Sequence, residues 1–191
     1  MPRSKDRTRA RILQAAYVLF RQRGFTRVNV DEIAAASKIT KRTLYSHFES
    51  KDTLLADVLE AQHDLAYAAF QTYGSKLKGT PETIVETFFA ELDVSSAKPR
   101  WAGSGFTRLV VELADLPGHP ARKVAKRHKA LLESHLADVL AKAGIARSKA
   151  LARELWLLVE GAMVLILTHG DRSYARAAAE AGRILIPQSV D

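Results

Sequence analysis

The sequence predicts an all-α protein of about nine helices. Three observations predict it. Apolar residues recur at helical spacing along most of the 191-residue chain, and alternating strand patterns are absent. No proline falls between residues 3 and 80, so nothing in that stretch interrupts a helix. Later prolines and glycines fall where one periodic segment ends and the next begins.

The elements follow in order. Ile12, Ala16, Leu19 and Phe20 share one helix face, and Gly24 ends that helix as a C-cap. Asn29 is an N-cap, with Glu32 placed three residues on to complete a capping box. A third, short helix begins near Thr40 and ends by Phe48. Ser50 caps a longer one reaching about Tyr73, and Gly74 to Pro81 forms a loop. Helices are expected over 81–95, 102–116, 119–143, 147–169 and 172–186. Their breaks are Lys98-Pro99, Pro117-Gly118, Gly144 and Gly170-Asp171. That makes three helices in the first quarter and about six after it.

Charge is distributed very unevenly. Residues 1–51 hold twelve Lys and Arg against four Asp and Glu, a net of +8; residues 52–191 hold seventeen of each. The whole formal charge of +8 therefore lies in the first quarter. Such an excess beside a neutral remainder is the footprint of a polyanion-binding module. With no cysteine, disulfides, thiolate metal sites and cysteine nucleophiles are excluded. No secretory signal is evident. The most apolar run, Leu155 to Leu167, is 13 residues long and short of the ~20 that span a bilayer. A cytoplasmic protein without a membrane partner is expected.

Two short helices joined by a tight turn behind a longer first helix describe a helix-turn-helix. Val30, Ile33 and Ala34 are its core positions on one helix, and Leu44, Tyr45 and Phe48 on the other. Ala34, Ala35 and Ala36 allow close approach. Thr40, Lys41, Arg42, Thr43 and His47 then face outward. Lys and Arg suit phosphates and guanine edges, and Thr offers a hydroxyl and a methyl.

Gly24-Phe25, Val30 to Ala34, Ile39 to Phe48 and Lys51 to Leu55 together resemble the DNA-binding domain of the TetR family of transcriptional regulators. The resemblance runs from about residue 8 to residue 55. It implies a helix-turn-helix domain at 1–50 and a ligand-binding and dimerisation domain at 51–191. It also implies a repressor that binds a palindromic DNA operator as a homodimer and is released by a small effector, which the aromatic and aliphatic residues of the later helices favour as a hydrophobic one. Thr40, Lys41, Arg42 and Thr43 would face the major groove, with Tyr45, His47 and Lys51 on phosphates. Lys51 gains there from the amides of a helix N-terminus. Asn29 both caps its helix and donates to a phosphate.

Two residues depart from the family pattern. Lys38 stands where glycine normally supplies a left-handed turn, so it must take that conformation or the turn differs; it adds a phosphate contact in compensation. Val28-Asn29 replaces paired threonines. The basic residues Arg3, Lys5, Arg7 and Arg9 form either a solvated tail or an arm reaching a minor groove.

In the neutral part, residues 150–167 are apolar on nearly every face, and the last helix is rich in alanine. Such helices need a partner on every side. Leu151, Leu155, Leu158, Ala162 and Ile166, with Ala177, Ala178, Ala181, Ile184 and Leu185, are expected at a dimer interface. Phe88, Trp101, Phe106, Trp156 and Met163, with Phe89, are candidate pocket walls. Arg108, Glu112 and His135 are candidate anchors.

Enzyme motifs are incomplete. The segment Gly74 to Thr80 lacks the Gly-Lys-Ser/Thr of a phosphate loop, and Ala102 to Phe106 lacks the outer glycines of a nucleophile elbow. His128 and His135 have no third metal ligand nearby in sequence. No enzyme, cofactor or metal is expected. The rival reading is an architectural protein that coats DNA without sequence preference.

Overall fold

The computed structural model describes residues 4–186 and, over that range, is helical with no strand. Nine helices follow in order among the described residues: α1 (Ser4–Arg23), α2 (Val30–Ala36), α3 (Lys41–Tyr45), α4 (Lys51–Gly74), α5 (Pro81–Ser96), α6 (Gly105–Glu112), α7 (Pro120–Lys142), α8 (Ser148–His169) and α9 (Ser173–Ile184). The expected all-α class holds. Residues 102–116 carry a shorter helix than expected, because Gly103 turns left-handed ahead of it, and Leu113 to Leu116 close in turns before Pro117.

The chain forms two compact units. One comprises residues 4–66 with Gly105–His128; the other comprises Tyr67–Ser104 with 129–186. Residue 50, the expected functional boundary, lies inside the first unit. The helices α4 and α7 each contribute to both units.

The first unit closes around Ile12, Ala16, Phe20, Ile33, Leu44 and Leu54, all at or near zero exposure. These residues come from α1 to α4, so the three N-terminal helices share a core with the start of α4. The second unit is built on α9 packed against α5 and α8. Gly182 of α9 lets these helices approach closely. A Cβ there would lie 2.9 Å from Leu155, 3.0 Å from Phe89 and 3.1 Å from Val85. Among the described residues, no helix is long and apolar enough to cross a membrane.

Candidate nucleic-acid interface

Local capping fixes the two short helices. Asn29 Oδ1 accepts the Glu32 amide at 2.9 Å, and Glu32 returns a carboxylate oxygen to the Asn29 amide at 2.9 Å. Accepting the Asn29 N–H, and pairing with Arg23 at 2.5 Å, hold the Glu32 carboxyl below its usual range. Capping uses only the carbonyl of the Asn29 side chain, so its NH2 remains a donor. Thr40 caps α3 by accepting the Thr43 amide at 3.1 Å, and the two threonine hydroxyls lie 2.9 Å apart. Both hydroxyls therefore serve α3 itself as well as any base edge.

The turn between the helices is left-handed at Lys38, with φ +53°. The Ile39 amide reaches the Ala34 carbonyl and the Lys38 amide reaches Ala35, both at 3.0 Å. This pattern of paired bonds is the Schellman closure that usually places glycine where Lys38 stands. The turn keeps its shape, and the lysine bears the steric cost. Its side chain is exposed.

On α3 and just after it, Leu44 and Phe48 are buried, while Lys41, Arg42 and Tyr45 are exposed. Tyr45 is 45% exposed and is thus no core residue, contrary to the first of its two expected roles. The five-residue helix turns only Leu44 fully inward. Lys41 pairs with Asp31 at 3.1 Å, an exposed contact of little weight that a phosphate can replace. His47 is half-buried beside Phe48.

Lys51, the first residue of α4, donates to the Thr26 carbonyl at 3.2 Å. Partial burial pushes its ammonium below the usual lysine range. From α6, Glu112 accepts the Phe25 amide at 2.6 Å and the Thr26 amide at 3.3 Å. These two side chains hold the α1–α2 connection at three backbone groups. Glu112 is therefore committed to that connection, and its expected role as a ligand anchor does not hold.

The N-terminal basic residues are neither a tail nor an arm over the described range. Arg3 lies outside the described residues. Lys5, Arg7 and Arg9 belong to α1, and Arg9 pairs with Asp57 at 2.7 Å while its guanidinium sits 5.0 Å from the centre of the Phe48 ring. Arg9 thus braces α4 and the end of the α3 segment from α1. Nothing local in sequence marks Arg9–Asp57 or Glu112, because each contact spans 48 residues or more.

In the second unit, Phe88, Trp101, Trp156 and Met163 join one apolar cluster. Phe106 belongs to the first unit's core, stacked on His128 with centroids 3.8 Å apart, so it does not join those four. His128 is also hydrogen-bonded to His63 at 2.9 Å. His135 lies against Phe70 in the second unit, while Arg108 and Glu112 are in the first. Among the described residues, no three potential metal ligands converge.

Of the expected interface residues, Leu151, Leu155, Ala162, Ile166 and Ala178 are buried within their own unit and leave no surface for a second chain. An apolar helix must fill its own core first, and α9 and α5 take that face of α8. Leu158, Ala181 and Leu185 are half-buried, Ala177 is exposed, and Ile184 is 84% exposed. The open face of α8 carries Leu157, Val164, Leu165 and Leu167, which the sequence alone did not separate from the buried one.

Residues 12–58 match the family model for bacterial regulatory proteins of the tetR family. That segment is a TetR-family DNA-binding domain. The HTH-type transcriptional repressor NicS of Pseudomonas putida is 38% identical over 73 residues, covering 38% of this chain and 32% of that one. The HTH-type transcriptional repressor SCO4008 of Streptomyces coelicolor is 30% identical over 131 residues, 64% of each chain. The chain thus spans about a third of the first and under two thirds of the second. Among solved structures, SCO4454, a TetR-family transcriptional regulator from Streptomyces coelicolor, has a TM-score of 0.81 at 24% identity, covering 95% of this chain and 96% of that one. The reduced form of E. coli NemR gives 0.84 at 17%, covering 96% and 99%. At those identities the likeness is one of fold.

Proposed function

We propose that this chain is a TetR-family transcriptional repressor acting on DNA in the cytoplasm. It binds a palindromic operator as a homodimer and is released by a small apolar effector. One observation carries the DNA-binding part. The capped helix α3 exposes Lys41, Arg42 and Tyr45 on a fixed turn, inside the segment that holds the chain's entire formal charge. Arg42 and Lys41 read base edges with Thr40 and Thr43, while Lys38, Tyr45, His47, Lys51 and the Asn29 amide rest on phosphates. The names of NicS and SCO4008 support repression rather than activation.

Dimerisation uses the open face of α8 and α9. Leu157, Gly161 and Val164 follow one helical stripe, and Ile184 of α9 is exposed beyond any need of the monomer's core. A twofold axis there would bring two α3 helices to half-sites one turn apart, ~34–36 Å. Because α4 belongs to both compact units and begins with Lys51, a shift of α4 on effector binding is transmitted to the DNA-facing residues.

Selection of binding sites from random duplexes tests the reading. A palindrome preferred over random DNA by ~10³ or more is the expected result. Tight binding without enrichment of any sequence would instead support the architectural reading.

A further inference from the structure

Trp156 is central to the aromatic group of the second unit. Phe88 meets its ring edge-on at 5.4 Å, and Phe70 lies 6.1 Å away. The Lys129 ammonium sits over the same ring, 5.8 Å from its centre. That ammonium donates to the Ser104 hydroxyl at 3.3 Å and pairs with Glu160. The pair is only 30% and 28% exposed. The Trp156 indole N–H is buried and meets no acceptor among the described residues. Buried indole N–H groups ordinarily find a partner, so this donor is set where an incoming acceptor gains the most.

We propose that Trp156 and the Lys129–Glu160 pair form the recognition point for the effector, which is an uncharged apolar molecule carrying a carbonyl-type acceptor. The proposal rests on reading the second unit as the effector domain. Charge decides the class of ligand. Lys129 and Glu160 already cancel, so a carboxylate brought beside them leaves an excess negative charge in a half-buried setting. A neutral carbonyl accepts from the indole and disturbs no balance. Phe70, Phe88 and the Trp156 ring supply the apolar contact.

The test uses the full-length protein without DNA and three probes of similar size: methyl naphthyl ketone, its isosteric hydrocarbon isopropenylnaphthalene, and naphthoate. Calorimetry should show the ketone bound about tenfold tighter than either, the worth of one good hydrogen bond. Trp156→Phe keeps a ring and removes the donor, and should bring ketone and hydrocarbon level. Glu160→Gln leaves Lys129 unneutralised and should strengthen naphthoate binding by about tenfold. Circular dichroism and melting without probe establish that each variant folds; if one does not, the other decides. Equal binding of ketone and hydrocarbon to the wild type, no binding of any probe at millimolar concentration, or unchanged preferences in the folded variants would overturn the proposal. Since no DNA is present, these outcomes are independent of repression. In a separate titration of the protein–operator complex, a ketone that binds as expected yet leaves the complex intact refutes the effector role and not the recognition point.

Discussion

Replacing Glu112 by Ala isolates the contact that ties α6 to the α1–α2 connection. The Phe25 amide loses a carboxylate acceptor at 2.6 Å, and Phe25 is only 7% exposed, so little water replaces it. A hydrogen bond to a charged group contributes about 1.5–3 kcal/mol. The Thr26 contact is long, at 3.3 Å, and exposed, and adds less than about 0.5 kcal/mol. Because Glu112 is itself exposed, the lower part of the range applies, about 2 kcal/mol. For a chain of this length that lowers the melting temperature by roughly 4–8 °C. Glu112→Gln keeps one acceptor and should cost about 1 kcal/mol or less. Melting followed by circular dichroism, with urea unfolding as a second measure, checks both values. DNA affinity should fall with stability, by about tenfold for the alanine variant, since the connection leads directly into α2. An alanine variant within about 0.5 kcal/mol of wild type, or a glutamine variant as damaged as the alanine one, would refute the assignment.

Lys38→Gly should relieve the left-handed strain and leave stability unchanged or raised by about 1 kcal/mol, while the slope of log K against log salt shrinks by about 0.9 for the one phosphate that the lysine no longer neutralises. A salt titration that leaves the slope unchanged rules out the phosphate role. Leu157→Glu with Ile184→Glu, at side chains 69% and 84% exposed, should give a folded monomer in sedimentation analysis; an unchanged dimer would place the interface elsewhere. Gly182→Ala puts a methyl within 3.1 Å of Leu155, Phe89 and Val85 and should destabilise by about 1–3 kcal/mol in a urea melt.

The helices and the motif were legible from residue order, because they depend on neighbours three or four positions away. Asn29 and Glu32, Thr40 and Thr43, and Ser50 and Thr53 cap their helices through contacts three residues apart. For Lys38 the sequence left two outcomes, a left-handed residue or a different turn, and the structure takes the first. Which face of each long helix is used was not legible, and packing settled it. On α8, Leu151 and Leu157 look alike in sequence, yet one is fully buried and the other 69% exposed. A helix apolar all round carries no periodic signal to separate its core side from its open side. The same holds for Glu112, an acid on a short helix until the fold brings it to the Phe25 amide 87 residues away. Phe106, a candidate pocket wall by residue type, went to the other unit's core. Local physics chose the elements, their caps and the basic character of the helix-turn-helix segment; packing of distant segments chose what is buried, what is braced and what is left exposed.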